Sequence, residues 1–355
     1  MTNSPTVTVA IPVLNEEVFI RSVLNKFLNN TYPHITEIIV ADGGSTDCTR
    51  AIVQEIQKEH PKVKLIENPD RKQAAGMNRI IEVAEGDLIV RADGHSEYAD
   101  DYVEKCVEVM KRTDALNVSG SQRHVALEPF QAGVALASRT WFGNGGAHYK
   151  DPEYEGPSDT VFLGCFQTEV LREIGGYKLL DSDYVNEDAE LNARLRKRKP
   201  DSVFVSPEIK VWYFPRNTPA SLWRQYYYYG KSRKITQSVH PEQTPFRSLL
   251  PFYSVSVAFL LCIIDLILIT GGMIAGTVAT VGLLATAVAS ARVVLRFRKN
   301  FIKEFWRGPA EKVPGLLHQI ISTWSAILIM LFAHFSGTLI QKLRLFRKSG
   351  SDIKL

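Results

Sequence analysis

Leu88-Ile-Val-Arg-Ala-Asp-Gly-His95 is an apolar run that ends in two ligand-type side chains, Asp93 and His95, on either side of a glycine. The run predicts a buried strand. Its polar end predicts where chemistry sits, because ligands of an open α/β sheet lie outside the carboxyl ends of the strands. A carboxylate and an imidazole one residue apart can share a divalent cation when the glycine between them lets the backbone turn tightly. The same letters also suit a strand followed by an ordinary Asp-Gly turn. On this stretch alone, both readings stand.

Working outward, residues 6–13 are β-branched and apolar, and Asn15-Glu16-Glu17 then opens a helical pattern with apolar Val18, Val23, Phe27 and Leu28. A strand at 37–41 ends in Asp42-Gly43-Gly44-Ser45, and Thr46 and Asp47 are N-cap candidates for a helix through Glu59. A strand at 63–67 leads through Asn68-Pro69-Asp70-Arg71-Lys72-Gln73 into a helix at about 74–84. Strands alternating with helices predict a mostly parallel sheet covered on its faces. Further on, the pattern gives a helix at 100–112, a strand near 117–121 and polar, glycine-rich loops at 143–146 and 149–158. A strand at 160–166, a short helix at 169–174 before Gly175-Gly176, and a helix at 186–198 opened by Asn186-Glu187-Asp188 follow. An aromatic and basic helix occupies 222–237.

Composition is that of a folded protein, 45% hydrophobic and 23% charged, and a net charge of +4 is too small to imply a nucleic-acid partner. After Pro245 the chain turns apolar. Residues 249–270 and 273–291, separated at Gly271-Gly272, are each long enough to span a bilayer and predict a membrane hairpin. A third stretch, 316–340, carries His318, Gln319, Ser322, His334 and Ser336, and suits either a span or an interfacial helix. Basic residues Lys231, Arg233, Lys234 and Arg247 before the hairpin, and those at 292–299 after it, place both flanks in the cytoplasm. The basic tail at 342–348 wants the same side, in conflict with a third full crossing. Cys48, Cys106, Cys165 and Cys262 show no metal-type spacing and read as free thiols of a reducing compartment. Residues 1–8 have no signal-peptide pattern, so the first part of the chain is expected in the cytosol.

Four strand-end or helix-start motifs thus occur in order: Ile11-Pro12-x-x-Asn15-Glu16-Glu17, Ala41-Asp42-Gly43-Gly44-Ser45, Arg91-Ala92-Asp93-Gly94-His95 and Asn186-Glu187-Asp188. Together they resemble the inverting family 2 glycosyltransferases of the GT-A fold, in particular the succinoglycan-biosynthesis type. The resemblance covers roughly residues 6–233 and the placement of the membrane segments. It implies a Rossmann-like α/β catalytic domain over 1–240, followed by a membrane domain over 241–355.

What the resemblance implies for single residues is as follows. Pro12, Asn15 and Glu16 lie beside the nucleotide and Asp42 on its base or ribose, although helix capping and a plain Asp-Gly turn suit the same residues. Arg71, Lys72 and Gln73 precede a helix start that can hold a sugar or phosphate. Asp93 contacts the nucleotide sugar and, with His95, takes the place of the family's Asp-x-Asp metal motif. That donor set favours Mn²⁺ over Mg²⁺, because Mg²⁺ prefers oxygen alone. Asp188, beside Glu187, resembles the general base. A helix N-terminus lowers its pKa, whereas desolvation and Glu187 raise it. Gln225 and Arg233 stand where processive relatives carry Gln-x-x-Arg-Trp, and no tryptophan follows Arg233 here. Trp141 and the 143–148 loop are acceptor-side candidates.

The expected activity is transfer of one sugar, with inversion, from a nucleotide sugar of the UDP-hexose kind to a polyprenyl-diphosphate-linked saccharide in exopolysaccharide or cell-surface glycan synthesis. The expected place is the inner (cytoplasmic) membrane, multi-pass, with the catalytic domain in the cytosol. The rival readings are a processive polysaccharide synthase and a non-catalytic membrane protein that binds nucleotide sugars.

Overall fold

Seven elements alternate along the first part of the chain. They are β1 (Val7–Val13), α1 (Ile20–Leu28), β2 (Ile35–Asp42), α2 (Thr49–Glu59), β3 (Val63–Glu67), α3 (Gln73–Val83) and β4 (Leu88–Arg91). The structure, a computed structural model, describes residues 4–181, 184–268 and 273–351. β1 and β4 are buried at every position, as continuous apolar strands covered on both faces must be. β2 and β4 flank β1 in parallel, and β3 pairs with β2, also in parallel. The chain therefore builds outward from β1 to β3 and returns to the other side of β1 as β4. That reversal is the switch point at which open α/β sheets bind ligands.

Next come β5 (Ser96–Tyr98), α4 (Tyr102–Thr113), β6 (Asn117–Ser119), β7 (Gln122–His124), α5 (Pro129–Ala137), α6 (Trp141–Asn144), β8 (Gly156–Pro157) and β9 (Cys165–Gln167). They are followed by α7 (Thr168–Glu173), α8 (Glu187–Arg198), β10 (Val203–Val205) and β11 (Val211–Tyr213). The main sheet has the order β3-β2-β1-β4-β9-β6-β10-β8, and β5-β11-β7 form a second, three-stranded sheet. β9 runs antiparallel to both β4 and β6. The expected strand at 160–166 is thus realised only at its end and displaced to Cys165–Gln167. Val9, Ile11, Val40, Val90, Phe27, Tyr102 and Val118 belong to one apolar core.

By internal contacts the chain divides into two compact units. The first comprises the described parts of 1–123, 151–182 and 187–213, and the second those of 124–150, 183–186 and 214–355. In the second unit lie α9 (Pro219–Val239), α10 (Leu250–Leu268), α11 (Met273–Phe297), α12 (Phe301–Phe305) and α13 (Leu316–Ser351). α9 starts three residues earlier than the aromatic pattern indicates. Thr218 and Ser221 form a reciprocal capping box, with Pro219 in the first turn. α9 packs closely on α13, where a Cβ on Gly337 would lie 1.9 Å from the Tyr227 carbonyl oxygen.

Three helical segments are long and apolar enough to cross a membrane, Phe246–Asp265, Met273–Phe297 and Leu316–Arg347, with mean hydropathies of 1.9, 1.9 and 1.8. The expected break at Gly271-Gly272 lies outside the described residues. On α13 the polar residues Gln319, Ser322, Thr323, Thr338 and Gln341 are buried, whereas Leu317, Ile321, Leu343 and Phe346 are exposed. Such a helix turns its polar side chains to protein and its apolar ones outward, as in a bilayer.

Within the apolar α10, Asp265 is buried and accepts hydrogen bonds from the Ile274 (3.1 Å) and Ala275 backbone N–H groups. These belong to the first turn of α11, whose N–H groups have no partner within their own helix. One carboxylate thus ties the two helices of the hairpin together. Asp265→Ala is expected to destabilise the detergent-purified protein by about 1–2 kcal/mol, the usual cost of a lost cap, and Asp265→Asn by less. Thermal unfolding of the three proteins checks this.

Candidate active site

Every site residue described first belongs to the first unit. Beyond β1, Asn15 adopts a left-handed φ of 58°, and three successive backbone N–H groups are held by side chains from the loop after β2 and from Thr49, the first residue of α2. Asn15 donates to Ser45 Oγ (2.9 Å), Glu16 to Thr49 Oγ1 (2.7 Å) and Glu17 to Asp47 Oδ2 (3.1 Å). In return, Asn15 Oδ1 accepts from the Thr46 N–H (2.8 Å) and Glu17 Oε2 from the Cys48 N–H (2.9 Å). Asn15-Glu16-Glu17 therefore stitches two loops at the sheet rim and caps no helix. α1 begins only at Ile20, with no side-chain cap, and Val18 is left exposed.

Asp42, the last residue of β2, is fully buried. Its Oδ1 accepts from Ser45 Oγ (2.5 Å), and its Oδ2 lies 3.3 Å from Arg50 Nη1. Arg71, also left-handed at φ 57°, reaches back through Nε to the Gly43 carbonyl (3.1 Å). Pro12 is buried under this rim. Gln73, the first residue of α3, donates from Nε2 to Asp93 Oδ1 (2.7 Å).

Asp93 is buried, and the Tyr98 hydroxyl fixes its backbone, accepting from the Asp93 N–H at 2.7 Å and lying 3.1 Å from its carbonyl. Burial raises the Tyr98 hydroxyl well above its ordinary pKa, and the Asp93 charge adds to the rise. The phenol therefore stays neutral. His95 Nδ1 lies 2.8 Å from Glu16 Oε1. Among the described residues, no group of three His, Cys, Asp or Glu side chains is arranged to hold a metal. The carboxylate of Asp93 and the imidazole of His95 are donor types that would suit a divalent cation, and the Glu16 contact is of the kind that orients an imidazole.

Arg91, buried at the end of β4, was not singled out from sequence, and it organises the acidic side of the site. Residues 91 and 93 project to the same face of the chain. The guanidinium pairs through Nη1 with Asp188 Oδ1, lies 3.5 Å through Nη2 from Asp93 Oδ1, donates to the Tyr177 hydroxyl (3.4 Å), and sits 5.7 Å from the centre of the Tyr177 ring. Tyr177 is in turn locked by Asn78, whose Oδ1 accepts from the Tyr177 N–H (2.7 Å) and whose Nδ2 donates to its carbonyl (2.8 Å). α8, which carries Glu187 and Asp188 in its first turn, is anchored from below. Its Arg194 pairs with buried Glu190 (2.7 Å) and donates to the Ile174 and Gly176 carbonyls (2.7 and 2.6 Å), and its Asn192 accepts from Asn117 (2.8 Å).

Three carboxyl groups, Asp93, Glu187 and Asp188, thus share one buried cation. Burial pushes Glu187 up to about 7, and the neighbouring Asp188 charge adds to the rise. Burial also raises Asp188, with Arg91 opposing the rise and Asp93 supporting it. Desolvation, one of the effects that the sequence left open at this helix start, prevails here over the opposing charge of Arg91. Asp188 is a stronger base than an exposed aspartate.

Glu187 has a consequence for stability. Its native pKa of about 7 lies above the ordinary 4.5. The stability conferred by its proton is complete below pH 4.5 and is lost as the pH rises through 7. Glu187→Gln is expected to raise Tm at pH 8 by a few degrees and to change it little at pH 5. Differential scanning fluorimetry at the two pH values checks this.

Trp141, Gln225 and Arg233 lie in the second unit. Trp141 opens α6 and is exposed, behind a Thr140 hydroxyl cap and before left-handed Gly145. The 143–148 stretch is therefore a capped turn, with Gly143 and Asn144 closing α6, where an open loop was expected. Gln225 and Arg233 are half-buried residues of α9.

The profile described as Glycosyl transferase family 2 matches residues 8–175. Over 253 residues the chain is 32% identical to the succinoglycan biosynthesis protein ExoA of Rhizobium meliloti (strain 1021), an alignment covering 71% of this chain and 76% of that protein. It is 27% identical, over 64% of this chain and 73% of the relative, to the dolichyl N-acetyl-alpha-D-glucosaminyl phosphate 3-beta-D-2,3-diacetamido-2,3-dideoxy-beta-D-glucuronosyltransferase of Methanococcus voltae. Among solved structures, the mannosyltransferase PcManGT from Pyrobaculum calidifontis, in complex with GDP-Man and Mn²⁺, superposes with a TM-score of 0.55 at 20% identity, over 95% of this chain and 88% of that one. That likeness is one of fold, the mixed α/β GT-A fold with its switch point between β1 and β4. On the motifs, the sheet order and these likenesses, the chain belongs to glycosyl transferase family 2.

Proposed function

We propose that the protein is a membrane-anchored, inverting hexosyltransferase. It moves one sugar from a nucleotide sugar, of the UDP-hexose kind, to a polyprenyl-diphosphate-linked saccharide in exopolysaccharide or cell-surface glycan synthesis. The observation that carries the reading is the Arg91-centred cluster, which brings a candidate base, Asp188, to the same buried guanidinium as Asp93 at the switch point of the sheet. The part of the chain before about residue 240 is assigned to catalysis. The part after it is assigned to anchoring, in the inner membrane and with the catalytic part on the cytosolic side. Support for a lipid-linked acceptor comes from the three apolar helices and from the dolichyl-phosphate relative.

In this reading Asn15, Arg71 and the Asp42-ordered turn at Ser45 and Thr46 line the nucleoside side, with Pro12 as the floor of the rim. Gln73 and Asp93 face the sugar and diphosphate. A divalent cation bound by Asp93 and His95, Mn²⁺ favoured over Mg²⁺, supplies charge neutralisation to the departing nucleoside diphosphate, in keeping with the Mn²⁺ of the mannosyltransferase. The acceptor oxygen forms its bond to the anomeric carbon as the bond from that carbon to the phosphate oxygen breaks on the opposite face. Asp188 takes the hydroxyl proton. Arg91 holds Oδ1 of that carboxylate, so proton transfer falls to Oδ2. Glu187, raised to about 7 by its burial, carries only part of a negative charge near neutral pH and so lessens the repulsion beside the base. Trp141, Gln225 and Arg233 are assigned to the acceptor or product side. The absence of a tryptophan after Arg233 supports addition of a single sugar over processive synthesis.

The test is release of nucleoside diphosphate by the detergent-purified protein with Mn²⁺ and a panel that includes UDP-glucose, UDP-galactose and GDP-mannose, with and without a lipid-linked saccharide pool. Release dependent on one donor and on the acceptor supports the reading. A nucleotide bound without turnover under every condition supports a binding protein instead.

A further inference from the structure

Glu16 belongs to the loop after β1, yet its side chain lies across the Asp93-Gly94-His95 turn, 79 residues away in sequence. Two observations place it there. Its Oε1 is 2.8 Å from His95 Nδ1, and a Cβ built on Gly94 would come 2.9 Å from Glu16 Cγ and 3.3 Å from its Cβ and Cδ. The glycine between the two ligand residues thus leaves the space that the Glu16 side chain crosses. The Glu16 backbone is itself pinned by Thr49 Oγ1 (2.7 Å), so the carboxylate reaches His95 from a fixed base. The other groups facing the imidazole include the Tyr213 ring, 5.9 Å away between centroids.

We infer that Glu16 is a positioning residue for metal binding. By accepting the Nδ1 proton of His95 it fixes the tautomer and the ring plane, so that coordination falls to Nε2. Carboxylates in this relation to a ligating histidine raise the basicity of the ligand, and losing one costs about 10–100-fold in metal affinity. The inference rests on the proposal that Asp93 and His95 hold a divalent cation, and it gives Glu16 a task other than contact with the nucleotide. It also accounts for the Asp-Gly-His spelling of the motif. Glycine is needed there because the second-row carboxylate occupies the room of a side chain.

The test uses the full chain in detergent, with free Mn²⁺ read by electron paramagnetic resonance in the presence of UDP, on wild type, His95→Ala, Glu16→Ala, Glu16→Gln and Gly94→Ala. Cooperative thermal unfolding without metal or nucleotide, by differential scanning fluorimetry, shows that each variant is folded. Glu16→Ala is expected to weaken Mn²⁺ binding by about 10–100-fold. Gly94→Ala, which displaces the same side chain, should weaken it similarly. Glu16→Gln, which keeps an oxygen for the Nδ1 proton but loses the charge, should fall between Glu16→Ala and wild type. Wild-type Mn²⁺ affinity in Glu16→Ala, with binding lost in His95→Ala, overturns the role of Glu16 and leaves the metal site standing. Failure of the wild type to take up Mn²⁺ overturns the metal reading itself.

Discussion

Asp188→Asn is expected to lower kcat by about 10²–10⁴-fold, the usual contribution of a positioned general base, while donor affinity stays within about threefold. Asparagine keeps the shape of the side chain and an oxygen for Arg91, and it loses the capacity to take a proton together with the negative charge that pairs with Arg91. The reduction should therefore fall on kcat with little change in the KM for the donor. Nucleoside diphosphate release under saturating donor and acceptor, paired with calorimetric titration of the donor, separates the two quantities. Unchanged turnover would remove Asp188 as the base. Equal loss of turnover and donor affinity would recast it as a binding residue.

The second large effect is expected at Arg91. Arg91→Met removes the one guanidinium shared by Asp93 and Asp188, with Glu187 close by, and leaves buried carboxylates uncompensated. Removing one partner of a buried pair typically costs about 3–5 kcal/mol. The sign with pH follows from the carboxyl groups. Without Arg91 the native pKa values of Asp188 and Glu187 rise further, so the loss of stability is largest at pH 8 and shrinks as the pH falls and these two groups take up protons. Arg91→Lys keeps the charge but cannot span both carboxylates as a planar fork does. It should recover part of the stability and little of the activity. Unfolding measured at pH 5 and pH 8, together with donor turnover, tests both statements. A pH-independent loss in Arg91→Met would point to packing alone.

The first half of the sheet was legible because β1 to β4 are runs of apolar residues separated by amphipathic helices, the pattern that doubly covered parallel strands impose on a sequence. The rest was less legible for a physical reason. β6, β9, β10 and β11 are three residues each, too short for periodicity to register. The insertion of β9 antiparallel between β4 and β6 is decided by long-range pairing. The candidate residues that the sequence points to, Asp42, Asp93, His95 and Asp188, stand at or just beyond strand ends and helix starts. What connects them was not visible, since Arg91 meets Asp188 and Glu16 meets His95 across 97 and 79 residues. A signal for Arg91 existed all the same. A charged residue inside an apolar strand, two positions before an aspartate, is costly to bury unless it has acidic partners. Asp265 offered the same kind of signal within an apolar helix.

The central claim, a one-step displacement in which a single carboxylate deprotonates the acceptor, is tested most directly by the anomeric configuration of the product. With an α-linked nucleotide sugar as donor, proton NMR of the glycosylated acceptor should show a β linkage at the new bond from its first appearance. An α linkage would require two displacements or a front-face path, and would contradict the assignment of Asp188 as the sole base of an inverting transfer.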